Sequence, residues 1–383
     1  MTNYFNIFLI FFLIVATNVH SNPDIKARTV ILVDYQSDKI LYSLQPDHSI
    51  HPASMTKIMT AIVAFDLLTK KKINLDDKII ISEKAWRMST AGYSSMFIMV
   101  NDEISIENLL KGIIIASGND ACVALAEGIA GTEENFVTLM NEKAQEIGMS
   151  STNFANSSGI NNPDNYSTVR DIALMSKYLI KNYPKYYEYF KETVFTWERT
   201  GGNPITQGNR NTLLYKNIGV DGIKTGHLVV EQYSLASSIK KETRRLIAVG
   251  SGFQTNALRT SQSRKLLTWG LTNTETFEIS KQSETIFKIK SWLGNEKFIK
   301  GYTKEDMYET IDKKDLRNFN VFLEYSGPIK APIKKDQEIG QINIYKKNKL
   351  IRSENVYALE KVKKINFLLS LLSSFNYMIW GDA

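Results

Sequence analysis

Near Thr274 the chain changes its hydrophobic period, and that change limits it to two differently built units. Upstream, strand-like runs at residues 29–34, 39–42, 233–239 and 246–249 are interleaved with helix-length apolar segments at residues 58–68, 106–115, 121–130, 136–147, 168–179 and 259–270. Downstream, only short β-rich runs recur, at residues 285–290, 297–301, 320–325, 341–345 and 356–359. Turn residues such as Gly294-Asn295 and Lys347-Asn348 separate them. Apolar residues at helical spacing mark helices, and short β-branched runs bounded by turns mark strands. A mixed α/β domain followed by a small all-β module is therefore expected. With 383 residues, 43% of them hydrophobic and 23% charged, the chain has globular composition and material for both cores.

The two ends read differently. Residues 7–16 are almost entirely apolar, too short to span a membrane, and followed by the small Val19 and Ser21. Residues 1–21 thus read as a secretory signal cleaved before Asn22, although Met1-Thr2-Asn3-Tyr4 carries no Lys or Arg. Such a signal places the protein outside the cytoplasm. At the other end, residues 359–380 combine Lys361, Lys363 and Lys364 with Phe367, Leu368, Leu371, Leu372, Phe375 and Trp380. A helix of that make-up either lies in a membrane interface or docks on its own domain. The net charge of +7 favours an anionic polymer or a membrane surface as neighbour, and no long basic run points to nucleic acid. Cys122 is the one cysteine, so no intramolecular disulfide forms. The four histidines have no zinc-site spacing, and neither a Gly-x-Ser-x-Gly elbow nor a Gly-rich phosphate loop occurs, so no metal or cofactor is expected.

Residues that carry chemistry are dispersed along the first unit. Ser54 and Lys57 stand three residues apart, where Pro52 gives way to the helix-patterned residues 58–68. Residues at that spacing share a helix face, so the amine reaches the hydroxyl. A serine hydroxyl becomes a nucleophile when a base takes its proton, and an amine does so once its pKa is lowered. Ser117-Gly118-Asn119 lies on a tight loop between two apolar helices, and Lys224-Thr225-Gly226 ends the glycine-punctuated residues 219–226. Each piece alone has a plainer reading: a serine N-cap with a solvated lysine, an ordinary helix–helix turn, an edge strand. Ser-x-x-Lys also recurs at Ser237/Lys240 and Ser238/Lys241. All three pieces in this order, each at the edge of an element, are far from chance.

Together they resemble the penicillin-recognising serine enzymes, whose motifs are Ser-x-x-Lys, Ser-x-Asn and Lys-Thr-Gly. Residues 34–59, 116–126, 220–227 and 265–270 look like the D-alanyl-D-alanine carboxypeptidases, the low-molecular-mass penicillin-binding proteins. Residues 325–333, which begin Tyr325-Ser326-Gly327-Pro328, look like that family's C-terminal β-domain. The resemblance implies a β-lactamase/transpeptidase-like domain over residues 22–273, an antiparallel sheet flanked by helices, with an all-helical subdomain carrying Ser117. A β-sandwich over residues 274–358 and an amphipathic membrane-anchoring segment over residues 359–383 would follow. It further implies that Ser54 attacks the carbonyl between two terminal D-alanines of a peptidoglycan stem peptide. Lys57 would accept the proton, its pKa lowered by the Lys224 charge. Ser117 would pass a proton to the leaving amine, and Asn119 would hold the substrate amide or orient Lys57. The amides of Ser54 and His227 would form the oxyanion hole. Lys224 and Thr225 would bind the free carboxylate, and Gly226 would let substrate approach the backbone. Arg210 and Arg259 match family arginines near that end, or are surface ion pairs. β-Lactams would be inhibitors, and the protein would be periplasmic, peripheral on the outer face of the inner membrane.

Two stretches depart from the family pattern. Leu228, Val229, Val230, Glu231 and Gln232 replace the small residues usual after Lys-Thr-Gly-His, and residues 156–160 carry no histidine. A β-lactamase-like hydrolase on the same fold remains a competing reading. Against it, residues 153–171 hold no Glu-x-x-Leu-Asn to activate a deacylating water, and such enzymes usually lack the β-module. A non-catalytic peptidoglycan-binding scaffold is the other competing reading.

Overall fold

The computed structural model describes residues 22–160, 162–282, 284 and 287–380. The expected signal, residues 1–21, lies outside the described residues. Five antiparallel strands form the central sheet, in the order Ile40–Leu44, Thr29–Asp34, Arg244–Phe253, Gln232–Lys241, Val220–Leu228. Side chains alternate across a strand. Val30, Leu32, Leu246 and Ala248 therefore pack on one face with Leu266 and Leu267 of the helix Asn256–Asn273. Ile31, Ile247 and Val249 pack on the other, in a core shared with the helices Lys57–Thr69 and Val169–Asn182. Because helices cover both faces, the strands read in sequence as unbroken apolar runs rather than as alternation.

The helices Glu83–Thr90, Asn119–Ala130 and Glu133–Ile147 extend that second core into a helical subdomain. Their limits follow from local chemistry. Ser82, Ser105, Thr132, Thr168 and Thr255 each accept a hydrogen bond from a first-turn amide, the usual N-cap service. Gly148, at φ +89°, ends the Glu133–Ile147 helix. The helix expected over residues 106–115 is α-helical only over Ile106–Lys111 and widens to a π-helical turn at Gly112–Ala116. That turn delivers Ser117 in the left-handed region, at φ +63°.

Asn256–Asn273 runs directly into the strand Thr274–Ser280, which pairs with Met307–Asp312. A six-stranded sheet follows, in the order Phe319–Glu324, Glu338–Lys346, Lys349–Ala358, Phe298–Tyr302, Phe287–Trp292, Ile329–Lys330. Ile289, Ile299, Ile342, Ile344, Val356 and Val362 fill its core. The architecture is the expected α/β domain followed by an all-β domain. At the junction the buried Asp34 carboxylate accepts from the Gln36 and Ser37 amides at 3.1 Å and from Arg244 Nε at 3.0 Å. Arg244 also donates to the Thr274 carbonyl at 2.6 Å, so one ion pair is shared by the two domains.

The tail corrects one expectation. Helix is confined to Phe367–Trp380, not spread over residues 359–380. Val362 is buried and bridges to Ile333, and the Ile365 amide donates to the Leu293 carbonyl at 3.0 Å. Val362 stands between Lys361 and Lys363, and that alternation suits an edge strand completing the β-domain core.

Candidate active site

Pro52 opens a 3-10 turn, Ala53–Thr56, that feeds the helix Lys57–Thr69. Ser54 thus stands inside the turn and caps no helix. Its hydroxyl lies 3.0 Å from Lys57 Nζ. Lys57 is 1% exposed, and Nζ also donates to Asn119 Oδ1 at 2.6 Å and to the Ser158 carbonyl at 2.7 Å. Burial penalises an ammonium, and it lowers the Lys57 pKa to about 8, with the Arg210 charge adding to the effect. Withdrawal from water, rather than the expected charge of Lys224, leads this shift, and the repulsion between the two amines comes second to burial in the pair. Lys224 is itself buried, and burial, then the Lys57 charge, holds its pKa well below the usual lysine value.

Asn119 opens the helix Asn119–Ala130, and its amide donates to the Ser94 carbonyl at 2.8 Å. The next residue, Asp120, is fully buried. Its carboxylate accepts from Ser95 Oγ at 2.6 Å, Ser89 Oγ at 2.8 Å and the Met96 and Phe97 amides at 2.8 Å. Asp120 therefore fixes the chain around Ser94 and Ser95 against the Ser117-Gly118-Asn119 loop. Neither it nor the Ser158 carbonyl was marked by the sequence reading. An acidic residue in the first turn of a buried helix was the available signal for Asp120; a backbone carbonyl leaves none.

Lys224-Thr225-Gly226 lies in the Val220–Leu228 strand at the sheet edge. Gly226 is hemmed in on two sides: a Cβ there would clash with the Ser234 hydroxyl of the adjacent strand, and would stand 3.0 Å from the Pro52 carbonyl oxygen and 3.2 Å from Ala53 Cβ in the turn that carries Ser54. The lack of a side chain thus serves the contact between strand and turn, rather than only the approach of a ligand. His227 is exposed, and its ring lies 4.3 Å from the Tyr233 ring. Arg259 is buried, sits 5.6 Å from the centre of the Tyr233 ring and donates to Asn256 Oδ1 at 2.7 Å.

Ser54, Ser117, Thr225, Gly226, His227, Arg210 and Arg259 line one cleft of about 460 Å³, together with Ser94, Thr212, Tyr233 and Asn256. Lys57, Asn119 and Lys224 are buried, at 1%, 5% and 3% exposure, and none of them is among the cleft-lining residues. Asn119 reaches Lys57, so the geometry favours orientation of the amine over contact with a ligand. No Asp or Glu lines the cleft, whereas two arginines do. Neither arginine has an ion-pair partner among the described residues. Among the described residues, no group of His, Cys, Asp and Glu could hold a metal ion.

The model of the D-alanyl-D-alanine carboxypeptidase family matches residues 16–255, and that of the penicillin-binding protein 5 C-terminal domain matches residues 275–364. D-alanyl-D-alanine carboxypeptidase DacC of Escherichia coli is 37% identical over 350 residues, which cover 90% of this chain and 86% of that one. D-alanyl-D-alanine carboxypeptidase DacA of Haemophilus influenzae is 38% identical over 343 residues, covering 89% and 86%. The solved structure of penicillin binding protein 5 from Haemophilus influenzae superposes with a TM-score of 0.80 at 36% identity, over 90% of this chain and 99% of that one. With both of its domains matched in order, the chain belongs to the D-alanyl-D-alanine carboxypeptidase family.

Proposed function

We propose that the protein is a serine-type D-alanyl-D-alanine carboxypeptidase acting on peptidoglycan stem peptides through an acyl-enzyme on Ser54. The observation that carries this reading is the set of partners around Lys57 Nζ. A neutral amine has two N–H donors and one lone pair. Asn119 Oδ1 at 2.6 Å and the Ser158 carbonyl at 2.7 Å use the two donors, which leaves the lone pair for the Ser54 hydroxyl at 3.0 Å. Ser54 Oγ bonds to the carbonyl carbon between the last two D-alanines, and its proton passes to Lys57. The C–N bond then breaks, Ser117 relays a proton to the departing amine, and water hydrolyses the ester. The amides of Ser54 and His227 form the oxyanion hole, in which one donor contributes roughly 3 kcal/mol. Thr225, Arg210 and Arg259, which line the cleft, hold the carboxylate of the leaving D-alanine, and Lys224, buried behind the lining, adds to the positive field there.

β-Lactams enter as acylating inhibitors at the same serine. The absence of any carboxylate from the cleft lining argues against a lactamase that deacylates through a Glu-activated water. We place the protein in the periplasm, on the outer face of the inner membrane. Intact mass followed over time after adding benzylpenicillin tests the reading. A gain of one penicillin that persists for minutes, absent in Ser54→Ala, is the expected result. A gain that vanishes while drug is consumed favours the lactamase, and no gain in the wild type favours the scaffold.

A further inference from the structure

Glu231 stands at the tip of the hairpin joining the Val220–Leu228 and Gln232–Lys241 strands. Its neighbours Val229 and Val230 are exposed, yet Glu231 is 2% exposed. A carboxylate withdrawn from water is costly unless strong donors meet it. Three do, each from a different part of the chain. The Arg28 guanidinium and the Ser251 hydroxyl, the latter at 2.6 Å, donate to Oε1, and the His51 amide donates to Oε2 at 3.1 Å.

The His51 amide bears on the active site. His51 is three residues before Ser54, and the intervening Pro52 has no N–H to offer. The Pro52 carbonyl accepts from the Met55 amide at 3.0 Å and closes the turn that presents Ser54. The same carbonyl meets the strand at Gly226. Residues 51–54 are therefore held to the Val220–Leu228 hairpin at two points: van der Waals contact at Gly226 and the Glu231 carboxylate. On its far side His51 is fixed by its ring, whose Nδ1 lies 3.0 Å from the Asn165 carbonyl.

We propose that Glu231 is a positioning residue for acyl transfer, acting through the His51 amide to set the gap between Ser54 and the strand edge at His227. The inference rests on the function proposed above. Acyl transfer depends steeply on that gap, because a displacement of about 1 Å costs roughly a hundredfold in rate. Initial association depends on it much less, because the arginine end of the cleft is built from other elements. Such a role also gives a physical meaning to the unusual residues 228–232.

The test measures benzylpenicillin acylation by stopped flow, resolving initial dissociation constant from acylation rate, together with thermal unfolding. Four full-length variants are used: Glu231→Ala, Glu231→Asp, Glu231→Gln and, as a stability control, Asp34→Asn. Glu231→Ala is expected to acylate at least tenfold more slowly, with the dissociation constant changed less than threefold. Glu231→Asp keeps the charge but withdraws it from His51, and should be slowed likewise if the alanine variant does not fold. Glu231→Gln keeps an acceptor for His51 and should stay within threefold of wild type. Asp34→Asn, at the domain junction, should lower the unfolding temperature and leave the acylation rate unchanged. Wild-type acylation rates in folded Glu231→Ala or Glu231→Asp would overturn the inference, as would an equal slowing by Asp34→Asn. A wild type that forms no adduct removes the functional reading itself, and this inference with it.

Discussion

At the scale of single residues, the site is governed by withdrawal from water. Lys57 has a pKa lowered to about 8, chiefly by burial. Below that value the amine holds its proton and cannot accept the one on Ser54. The acylation rate should therefore climb about tenfold per pH unit toward pH 8 and level off above it, when measured with benzylpenicillin from pH 6 to 9.5. A flat profile would remove Lys57 as the base. Stability has the same sign. Between about pH 8 and the ordinary lysine value of 10.5, the unfolded chain binds a proton that folded Lys57 does not, so this group makes stability rise with pH in that window. Hydroxyl and amine could be seen from the sequence because the chemistry needs those side chains. Ser158 could not, since it contributes a carbonyl that any residue carries. Asp120 and Glu231 left partial signals, one in the first turn of a buried helix and the other in the stretch that departs from the family pattern. Their partners were hidden, because those donors come from segments that only tertiary folding brings to them.

At the scale of elements, strands were more legible than the joints between them. The runs at residues 29–34 and 246–249 are apolar on both faces because helices cover the sheet on both sides, and their composition alone marked them. The π-helical turn at Gly112–Ala116 left no signal, since Gly-Ile-Ile-Ile-Ala suits an α-helix equally well. Its consequence is nonetheless the placement of Ser117. Gly226 was legible as a requirement but not for its full reason, which lies in the contact with Pro52 and Ala53. Gly226→Ala should displace the Ser234 hydroxyl on the adjacent strand and press on the turn at Pro52 and Ala53. Overpacking of this kind costs about 1–3 kcal/mol, and the acylation rate should fall at least tenfold as the gap between Ser54 and His227 widens. Denaturant unfolding and stopped-flow acylation measure the two effects. A variant unchanged in both would show that the contact has slack.

At the scale of the whole molecule, the tail divides into a part that belongs to the fold and a part that does not. Residues 361–365 are built into the β-domain through Val362 and the bonds from Val362 to Ile333, Asn295 to Lys363 and Ile365 to Leu293. The helix Phe367–Trp380 leaves Phe367, Leu368, Leu372, Phe375, Met378 and Ile379 each more than half exposed. No helix among the described residues is long and apolar enough to cross a membrane. An apolar helix preceded by Lys361, Lys363 and Lys364 suits the plane of an anionic membrane surface, with the lysines at the headgroups. The sequence joined the two parts into one segment because the lysines and the apolar residues are adjacent; only the pairing of Val362 with Ile333 separates them. The separation has a measurable consequence. A chain ending at Ile365 should move from the membrane fraction to the soluble one, with the unfolding temperature and penicillin acylation of the full chain. A chain ending at Ala358 should also be released, but should lose stability. Burial of Val362 alone is worth about 1.5–3 kcal/mol, and the β-domain would lose its edge bonds as well. Equal stability of the two truncations would show that residues 359–365 add nothing to the fold. Retention of the Ile365 form on membranes would place the anchor elsewhere in the protein.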